Sequence, residues 1–287
     1  MIGVFDSGLG GLTVLRALVQ RFPSASFTYL GDHAHVPYGN RPSAEIVDLT
    51  RAATEALFQR GARLVLLGCN TATAVAARQL QQAWLPATHW KAEGRNVLGI
   101  VAPTVEAATQ TPWSVTTPQY PQKNLTDTIA VFGTMRTVKA GVYAEEIRKR
   151  CPKATVVQQI CSDLAGAIEN EAPEDELDRL VAEGIAGVIE QTNGLPPHRA
   201  ILGCTHFPLV EHLFRRHLPP ATRILSQPEI VADSLEDYLH RHPRFVAGNT
   251  GELKLLTTAP DAAAVSSRAR VFWPEAPAFY CALQTSD

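Results

Sequence analysis

No apolar run in this 287-residue chain is long enough to span a bilayer, and the first residues contain no basic segment followed by an apolar stretch. Neither sign of charge is in clear excess, because the formal net charge is only −2 at pH 7. A nearly balanced charge gives no global attraction to nucleic acid or to an anionic membrane. These absences predict a cytoplasmic protein that binds neither nucleic acids nor membranes.

Cysteine spacing of the kind found in zinc sites is absent too, because no C-x-x-C or H-x-x-x-H pattern occurs around the five cysteines. His33 and His35 have no third ligand at a suitable spacing, so the sequence predicts no metal site. Five is an odd number of cysteines, in a chain too long for a disulfide scaffold. We therefore expect free thiols in a reducing compartment.

The glycine-rich turn at residues 6–11 does not fit a nicotinamide dinucleotide loop, because the third glycine of that fingerprint is replaced by Thr13. Its glycines would still let a ligand approach the backbone closely. Apolar residues 2–5 predict a buried strand before the turn, and residues 12–19 have helical spacing. Asp6 and Ser7 then lie where a strand meets a helix, which is where open α/β sheets bind ligands. Either side chain could instead serve as a helix cap.

A duplicated Gly-Cys motif is the most informative feature of the sequence. Residues 64–67 predict a buried strand, Gly68 permits a turn, and Cys69 follows where a helix begins. The same arrangement recurs in the second half of the chain and ends in Cys204. The start of a helix favours a thiolate, although a free cysteine is commonly just a small buried apolar residue. Two copies, each followed by hydrogen-bonding residues, favour a functional pair.

Other elements recur in the same order, which predicts two related halves. Residues 129–134 repeat the opening strand and turn, and residues 159–161 are a plausible counterpart of the strand end at 29–30. The length and the 45% apolar content also fit two domains with sizeable cores. We predict an α/β fold of two pseudo-symmetric domains, each a mostly parallel sheet flanked by helices. The first domain would comprise residues 1–97 plus 207–287, and the second residues 98–206.

The remaining pattern predicts the local elements. Strands are expected at 27–30, 97–101 and 244–246, helices at 43–60, 70–83, 210–218 and 228–240, and long loops at 85–96 and 111–128.

If the two halves face each other, both cysteines look into one cleft, a favoured place for small ligands. One thiolate could then remove a proton from one face of a carbon while the other thiol protonates the opposite face. Asp6 could orient or accept a proton from one cysteine, and His206 could do so for the other. Asn70, Thr71, Thr205 and backbone N–H groups at the helix starts could stabilise the carbanion that forms.

The residues at these positions resemble the glutamate racemases of the aspartate/glutamate racemase family. The motifs that carry the resemblance span residues 2 to about 210: F-D-S-G-L-G-G-L-T-V-L at 5–15, Y-L-G-D-x-A-x-x-P-Y-G at 29–39, C-N-T-A-T-A at 69–74, G-I-V-A-P at 99–103, G-T-x-x-T-V at 133–138 and L-G-C-T-H-F-P-L at 202–209. The resemblance implies a racemase that needs no cofactor, with two pseudo-symmetric α/β domains and its active site between them. It also implies D-glutamate production for the bacterial cell wall, by a protein that is commonly a homodimer.

By position, the resemblance implies that Cys69 and Cys204 are the two acid/base residues, assisted by Asp6 and His206. The residues that it implies for substrate binding are Asp6, Ser7, Tyr38, Gly39, Asn70, Thr71, Thr205 and His206, with Thr134 and Thr137 as further contacts. Glu169 matches an acidic position of the family, but the residues around it differ, and it could equally be an exposed helix carboxylate.

Three other functions stay open. Aspartate racemisation differs from glutamate racemisation only in a substrate length that pocket shape determines. A non-catalytic relative could keep the ligand cleft, or bind a protein partner, without turnover. A cysteine hydrolase could use Cys204 with His206, although residues so close in sequence rarely reach nucleophile–base geometry, and Cys69 would have no role. The two long loops and the poorly matching C-terminal region bear on dimerisation and regulation, not on the chemistry.

Overall fold

The computed structural model describes residues 1–118, 120, 126–248 and 250–282. Its strands form two parallel sheets, of six and four strands. The strands of the first sheet are β1 (Ile2–Asp6), β2 (Phe27–Gly31), β3 (Leu64–Leu67), β4 (Asn96–Gly99), β9 (Leu253–Thr257) and β10 (Phe279–Cys281). Those of the second are β5 (Thr128–Gly133), β6 (Thr155–Ile160), β7 (Arg199–Gly203) and β8 (Arg223–Leu225).

Helices cover both faces of each sheet. They are α1 (Leu12–Arg21), α2 (Ser43–Gln59), α3 (Asn70–Gln79), α4 (His89–Ala92), α5 (Val101–Thr109), α6 (Met135–Ala140), α7 (Val142–Arg150), α8 (Ser162–Glu169), α9 (Glu174–Gln191), α10 (Glu211–His217), α11 (Gln227–Arg241) and α12 (Ala262–Ala269). Among the described residues, none of these helices combines the length and the apolar character needed to cross a membrane.

The central strands are buried on both faces, as parallel strands between two helix layers must be. Every residue of β1, β2 and β7 is buried. Alternate side chains enter different cores, because successive residues of a strand point to opposite faces. Val4 packs into the core beneath α1, for example, whereas Phe5 packs into the core beneath α2.

The two sheets share one topology, which confirms the predicted pseudo-symmetric α/β fold. The strand order β2-β1-β3-β4 in the first sheet corresponds to β6-β5-β7-β8 in the second. The second repeat extends further along the chain than expected, because β8 pairs with β7 and is its fourth strand. Residues 223–225 therefore belong to the second sheet, whereas the predicted division placed all of residues 207–287 with the first domain. The domain division as a whole stays a prediction.

Three local predictions need correction. Residues 85–96 are not an irregular loop, since they contain the turn of 3-10 helix Leu85–Ala87, α4 and the first residue of β4. The predicted strand at 244–246 is instead a 3-10 turn, Pro243–Phe245, in which Phe245 is buried. The predicted strand at 97–101 is displaced, since β4 ends at Gly99 and Val101 already begins α5. Apolar runs this short do not distinguish a strand from a buried helical turn.

The loop predicted at 111–128 has neither helix nor strand among its described residues before β5 begins at Thr128, while residues 119 and 121–125 lie outside the described part of the chain.

Candidate active site

The carboxyl ends of the central strands of both sheets meet at one cavity of about 800 Å³. Cys69 follows β3 of the first sheet, Cys204 follows β7 of the second, and both line this cavity. The other predicted or weighed site residues on its wall are Ser7, Tyr38, Gly39, Asn70, Thr71, Thr134, Glu169, Thr205 and His206. Asp6 and Thr137 are buried behind the wall. The structure thus brings the two cysteines into one cleft, as the duplicated motif predicted.

Cys69 lies at the N-cap of α3 and is surrounded by neutral donors. Its Sγ accepts a hydrogen bond from the backbone N–H of Ala72 at 3.4 Å, and the Ser7 hydroxyl lies 3.4 Å away. Burial and the nearby Asp6 charge nevertheless raise the pKa of Cys69 to about 12, against the opposing effect of those hydrogen bonds. Desolvation therefore opposes the thiolate that the start of a helix is expected to favour.

Asp6 is buried at the end of β1 and connects the two halves. Its Oδ1 accepts the N–H of Gly8 at 2.7 Å, and its Oδ2 accepts the Thr205 hydroxyl at 3.4 Å. Burial raises the pKa of Asp6 to about 6, although Gly8, His206 and Thr205 act in the opposite direction. A carboxyl with this pKa gains and loses a proton close to neutral pH, as a general acid or base must.

Cys204 has an ionisable partner that Cys69 lacks. The Nδ1 of His206 lies 3.7 Å from the Cys204 sulfur, so these two side chains make contact, as the predicted role of His206 beside Cys204 requires. The Nε2 of His206 lies 3.2 Å from Oε2 of Glu169. Burial alone would lower the pKa of His206, but Cys204 and Glu169 outweigh it and raise the pKa to about 10. A protonated imidazole beside a sulfur is the counter-charge that a thiolate needs.

Glu169 is not an exposed helix carboxylate, because only 17% of its side chain is accessible. Its second oxygen, Oε1, accepts a hydrogen bond from Arg268 of α12 at 3.0 Å. Burial would raise the pKa of Glu169, but His206 and Arg268 together lower it, so the carboxyl stays charged. Glu169 thus lies on the cavity wall in contact with His206, and its role stays a prediction.

Three threonine hydroxyls from the two halves meet at the cavity, with Thr71 and Thr134 on its wall and Thr137 behind it. Thr71 Oγ1 lies 3.0 Å from Thr134 Oγ1 and 3.3 Å from Thr137 Oγ1. Gly39 packs beside Thr134, where a Cβ would sit 3.3 Å from the Thr134 Cβ. The ring of Tyr38 lines the cavity, but its hydroxyl donates to Asp32 Oδ2 at 2.6 Å. Burial and Asp32 raise the pKa of Tyr38, so it stays a neutral donor.

The side chain of Asn70 is engaged behind the cavity. Its Nδ2 donates to the Oε1 of Gln227, and its Oδ1 accepts from the hydroxyl of Tyr143 at 2.7 Å and from Gln227 Nε2 at 3.0 Å. Gln227 also donates to Thr104 at 2.9 Å. This buried network fixes the first residue of α3 and thereby the backbone beside Cys69.

The glycine-rich turn has two uses, because Gly8 lines the cavity while Gly10 faces the second half. A side chain at Gly10 would collide with the ring of His206 and with Thr205. Thr13 also donates to the carbonyl of Thr205 at 2.9 Å. Gly10 therefore lets the second half approach the first, rather than admitting a ligand there.

No group of three His, Cys, Asp or Glu side chains within the described ranges could hold a metal ion. The two histidines of the predicted loop have separate partners, since His33 Nδ1 lies 2.8 Å from Thr257 and His35 Nδ1 lies 2.8 Å from Asp32.

Several residues that support the site were missed in the sequence. They are Asp32, Thr104, Tyr143, Gln227, Arg268 and Phe272. All but Asp32 come from elements far along the chain from the residues that they support, and no local pattern marks them. Only Asp32, which falls inside the motif at 29–39, carried a signal that could have been used.

The comparisons with known proteins agree with this geometry. Residues 2–234 match the family model described as Asp/Glu/Hydantoin racemase. A glutamate racemase of Phenylobacterium zucineum is 48% identical over 95% of this chain and 96% of its own length. One from a Caulobacter species is 49% identical over 90% of this chain and 91% of its own. The crystal structure of a Bacillus anthracis glutamate racemase aligns with a TM-score of 0.82 at 27% identity, over 98% of this chain and 96% of that one. The chain belongs to the Asp/Glu/hydantoin racemase family.

Proposed function

We propose that the protein interconverts L-glutamate and D-glutamate without a cofactor, with Cys69 and Cys204 acting on opposite faces of the α-carbon. The observation that carries this proposal is the shared cavity, which two thiols line from the two halves of the repeat. Both curated relatives described above bear the name glutamate racemase and match this chain over nearly its whole length, which supports glutamate as the substrate.

The proposed reaction starts with one cysteine as thiolate and the other as thiol. The thiolate takes the proton from the α-carbon, and the electron pair of that C–H bond moves into the carboxylate group of the substrate. The opposite thiol then donates its proton to the other face, so that the roles of the two sulfurs are exchanged at the end of a turnover. No net proton is gained or lost, and the configuration is inverted.

The surrounding groups have distinct roles in this proposal. N–H groups at the start of α3 and the hydroxyls of Thr71 and Thr205 bind the substrate carboxylate as it gains charge. Ser7, Tyr38, Gly39 and Asn70 complete the binding wall. Asp6 accepts and returns protons near Cys69, and His206 does so beside Cys204.

The test is the rate of D-glutamate formation by Cys69→Ser and Cys204→Ser, each compared with Cys151→Ser. Cys151 is also a buried free thiol, but it lies in a core away from the cavity. We expect each active-site variant to lose about 10³-fold in kcat, because acid–base groups contribute 10² to 10⁴. The Cys151 variant should keep its rate, and wild-type activity in both active-site variants would contradict the proposal.

The same assay separates the alternatives. Turnover of aspartate at a rate equal to that of glutamate would favour aspartate racemisation. Tight glutamate binding without any turnover would favour a non-catalytic relative. The contact between Cys204 and His206 is the one feature that favours a hydrolase, and release of ammonia or of a cleaved product would support that reading.

We further propose, on the family resemblance, a cytoplasmic homodimer that supplies D-glutamate for peptidoglycan. Light scattering of the purified protein tests the dimer, and growth of a D-glutamate-requiring bacterium that expresses the chain tests the supply of D-glutamate.

A further inference from the structure

The acid–base partners of Cys204 continue into the C-terminal unit, by which we mean residues 253–281, comprising β9, α12 and β10. This unit has no counterpart in the second sheet, which consists of the four repeated strands alone among the described residues. It reaches the site with two side chains. Arg268 of α12 contacts Glu169, and Phe272 in the turn that follows contacts His206.

One chain of contacts runs from Cys204 through His206 and Glu169 to Arg268. It uses both ring nitrogens of the histidine and both oxygens of the carboxylate. His206 uses Nδ1 toward Cys204 and Nε2 toward Glu169. Glu169 uses Oε2 toward His206 and Oε1 toward Arg268 at 3.0 Å. Phe272 is buried and stands edge-on to the imidazole, with 5.2 Å between ring centroids and an interplanar angle of 90°. The rotation of the carboxylate is thus fixed from one side by Arg268.

An ion pair at a protein surface is usually worth little, so the exposure of the partners matters. The side chain of Arg268 is 51% exposed, but that of Glu169 is only 17% exposed and is shared with a buried histidine. Arg216 has nearly the same exposure, 52%, and pairs with Glu174, which is 65% exposed, and with Asp178, which is 27% exposed and is also shared with a histidine, His217. The two arginines are therefore comparable in exposure, but only Arg268 contacts a residue of the active site.

We infer that Arg268 is a positioning residue for the proposed reaction: it holds the Glu169 carboxylate so that His206 stays aligned with Cys204. The inference rests on the proposed function, and it assigns a part in the chemistry to the C-terminal unit. The titratable and charged groups that face Glu169 and His206 are Asp6 on β1, Cys204 after β7, His33 in the turn after β2, and Arg268 itself.

The experiment measures kcat and KM for glutamate racemisation from pH 6 to pH 10 in the full-length protein. The variants are Arg268→Gln, Arg268→Met and Arg268→Lys, with Arg216→Gln as the matched control. We expect the Gln and Met variants to lose about tenfold in kcat with KM changed by less than about twofold, because misalignment affects the reacting groups rather than binding. Lysine should restore most of the rate, and the control should match wild type.

The pH profile distinguishes positioning from a general loss of charge. Without Arg268, Glu169 is held less firmly against Nε2, so His206 loses its proton at lower pH. The alkaline limb of kcat should therefore move to lower pH in the Gln and Met variants and return with lysine. Thermal unfolding of each variant shows whether the fold is retained.

An Arg268→Gln or Arg268→Met protein with wild-type kcat and pH profile would overturn the inference, and so would a rise in KM at unchanged kcat or an equal loss in Arg216→Gln. In each case wild-type racemisation of glutamate would leave the proposed function standing. A wild-type protein that does not racemise glutamate would instead contradict the proposed function itself.

Discussion

The two cysteines occupy matching places in the repeated fold, yet their surroundings differ. Cys69 contacts a serine hydroxyl and a backbone N–H, with the charge of Asp6 close by. Cys204 contacts His206, which is itself paired with Glu169. Duplication of an α/β unit therefore explains why two thiols face one cavity, whereas the side chains that contact each thiol differ between the two halves.

The supports behind the two sites differ in kind as well. Asn70, next to Cys69, is held by the neutral hydrogen bonds of Gln227 and Tyr143. His206, next to Cys204, is held by charged groups that end at Arg268. The first support is wholly buried, while the second ends at a half-exposed arginine. Substitutions should thus affect the two sites in different ways.

Removing the immediate partner of each thiol gives the largest expected contrast. His206→Asn should lower kcat by about 10²-fold, because it removes an ionisable group in contact with Cys204. Ser7→Ala removes a single neutral hydrogen bond at Cys69 and should cost about tenfold or less. Initial rates with each glutamate enantiomer measure both effects. Equal losses in the two variants would mean that the two sites are chemically equivalent.

The loss of activity at acidic pH, which is the acidic limb of the pH profile, should come from protonation of Asp6 at the Cys69 site. Asp6 is ionised only above its raised pKa of about 6, so activity should rise as the pH increases through that value. Asp6→Asn should be slower and should lose this limb, since no group titrates at that position. A pH profile of kcat from 5 to 8 tests the assignment. A limb near pH 6 that persists in the variant would assign it to another group.

The hydrogen-bond network of Asn70, Gln227 and Tyr143 is uncharged, so breaking it should mainly lower the stability of the fold. Gln227→Leu leaves the buried Nδ2 of Asn70 without its acceptor and removes one of the two hydrogen bonds of the Tyr143 hydroxyl, which costs about 2 kcal/mol in the free energy of unfolding. Gln82→Leu is the control, because Gln82 is exposed. Urea unfolding of both variants measures the difference. An unchanged midpoint for Gln227→Leu would contradict the structural role of the network.

The last expected contrast is in the pH dependence of stability. His206 has a pKa of about 10 in the folded protein and about 6.5 when unfolded, so between these values the folded state binds more protons. Its contribution to stability is complete below pH 6.5 and is lost as the pH rises toward 10. Between pH 7 and 9, wild type should therefore lose more stability than His206→Asn, as measured by urea unfolding. Parallel curves would show that His206 is not charged in the fold.

The sequence predicted the repeat and the shared cavity because both follow from local patterns: apolar runs mark the strands, and Gly-Cys marks the same strand end twice. It did not predict that Gln227 supports Asn70 or that Arg268 supports Glu169, since these partners meet only through the packing of distant elements. The fourth strand of the second repeat was missed as well, because β8 has only three residues and no apolar run.

The central claim is that two thiols act on opposite faces of one carbon, and hydrogen exchange tests it most directly. L-glutamate and, separately, D-glutamate are incubated with the protein in deuterated water, and both enantiomers are analysed before equilibrium is reached. The account predicts deuterium at the α-carbon of the product, while the recovered starting enantiomer keeps its original hydrogen. Deuterium entering the starting enantiomer as fast as the product, as a single base would cause, would contradict it.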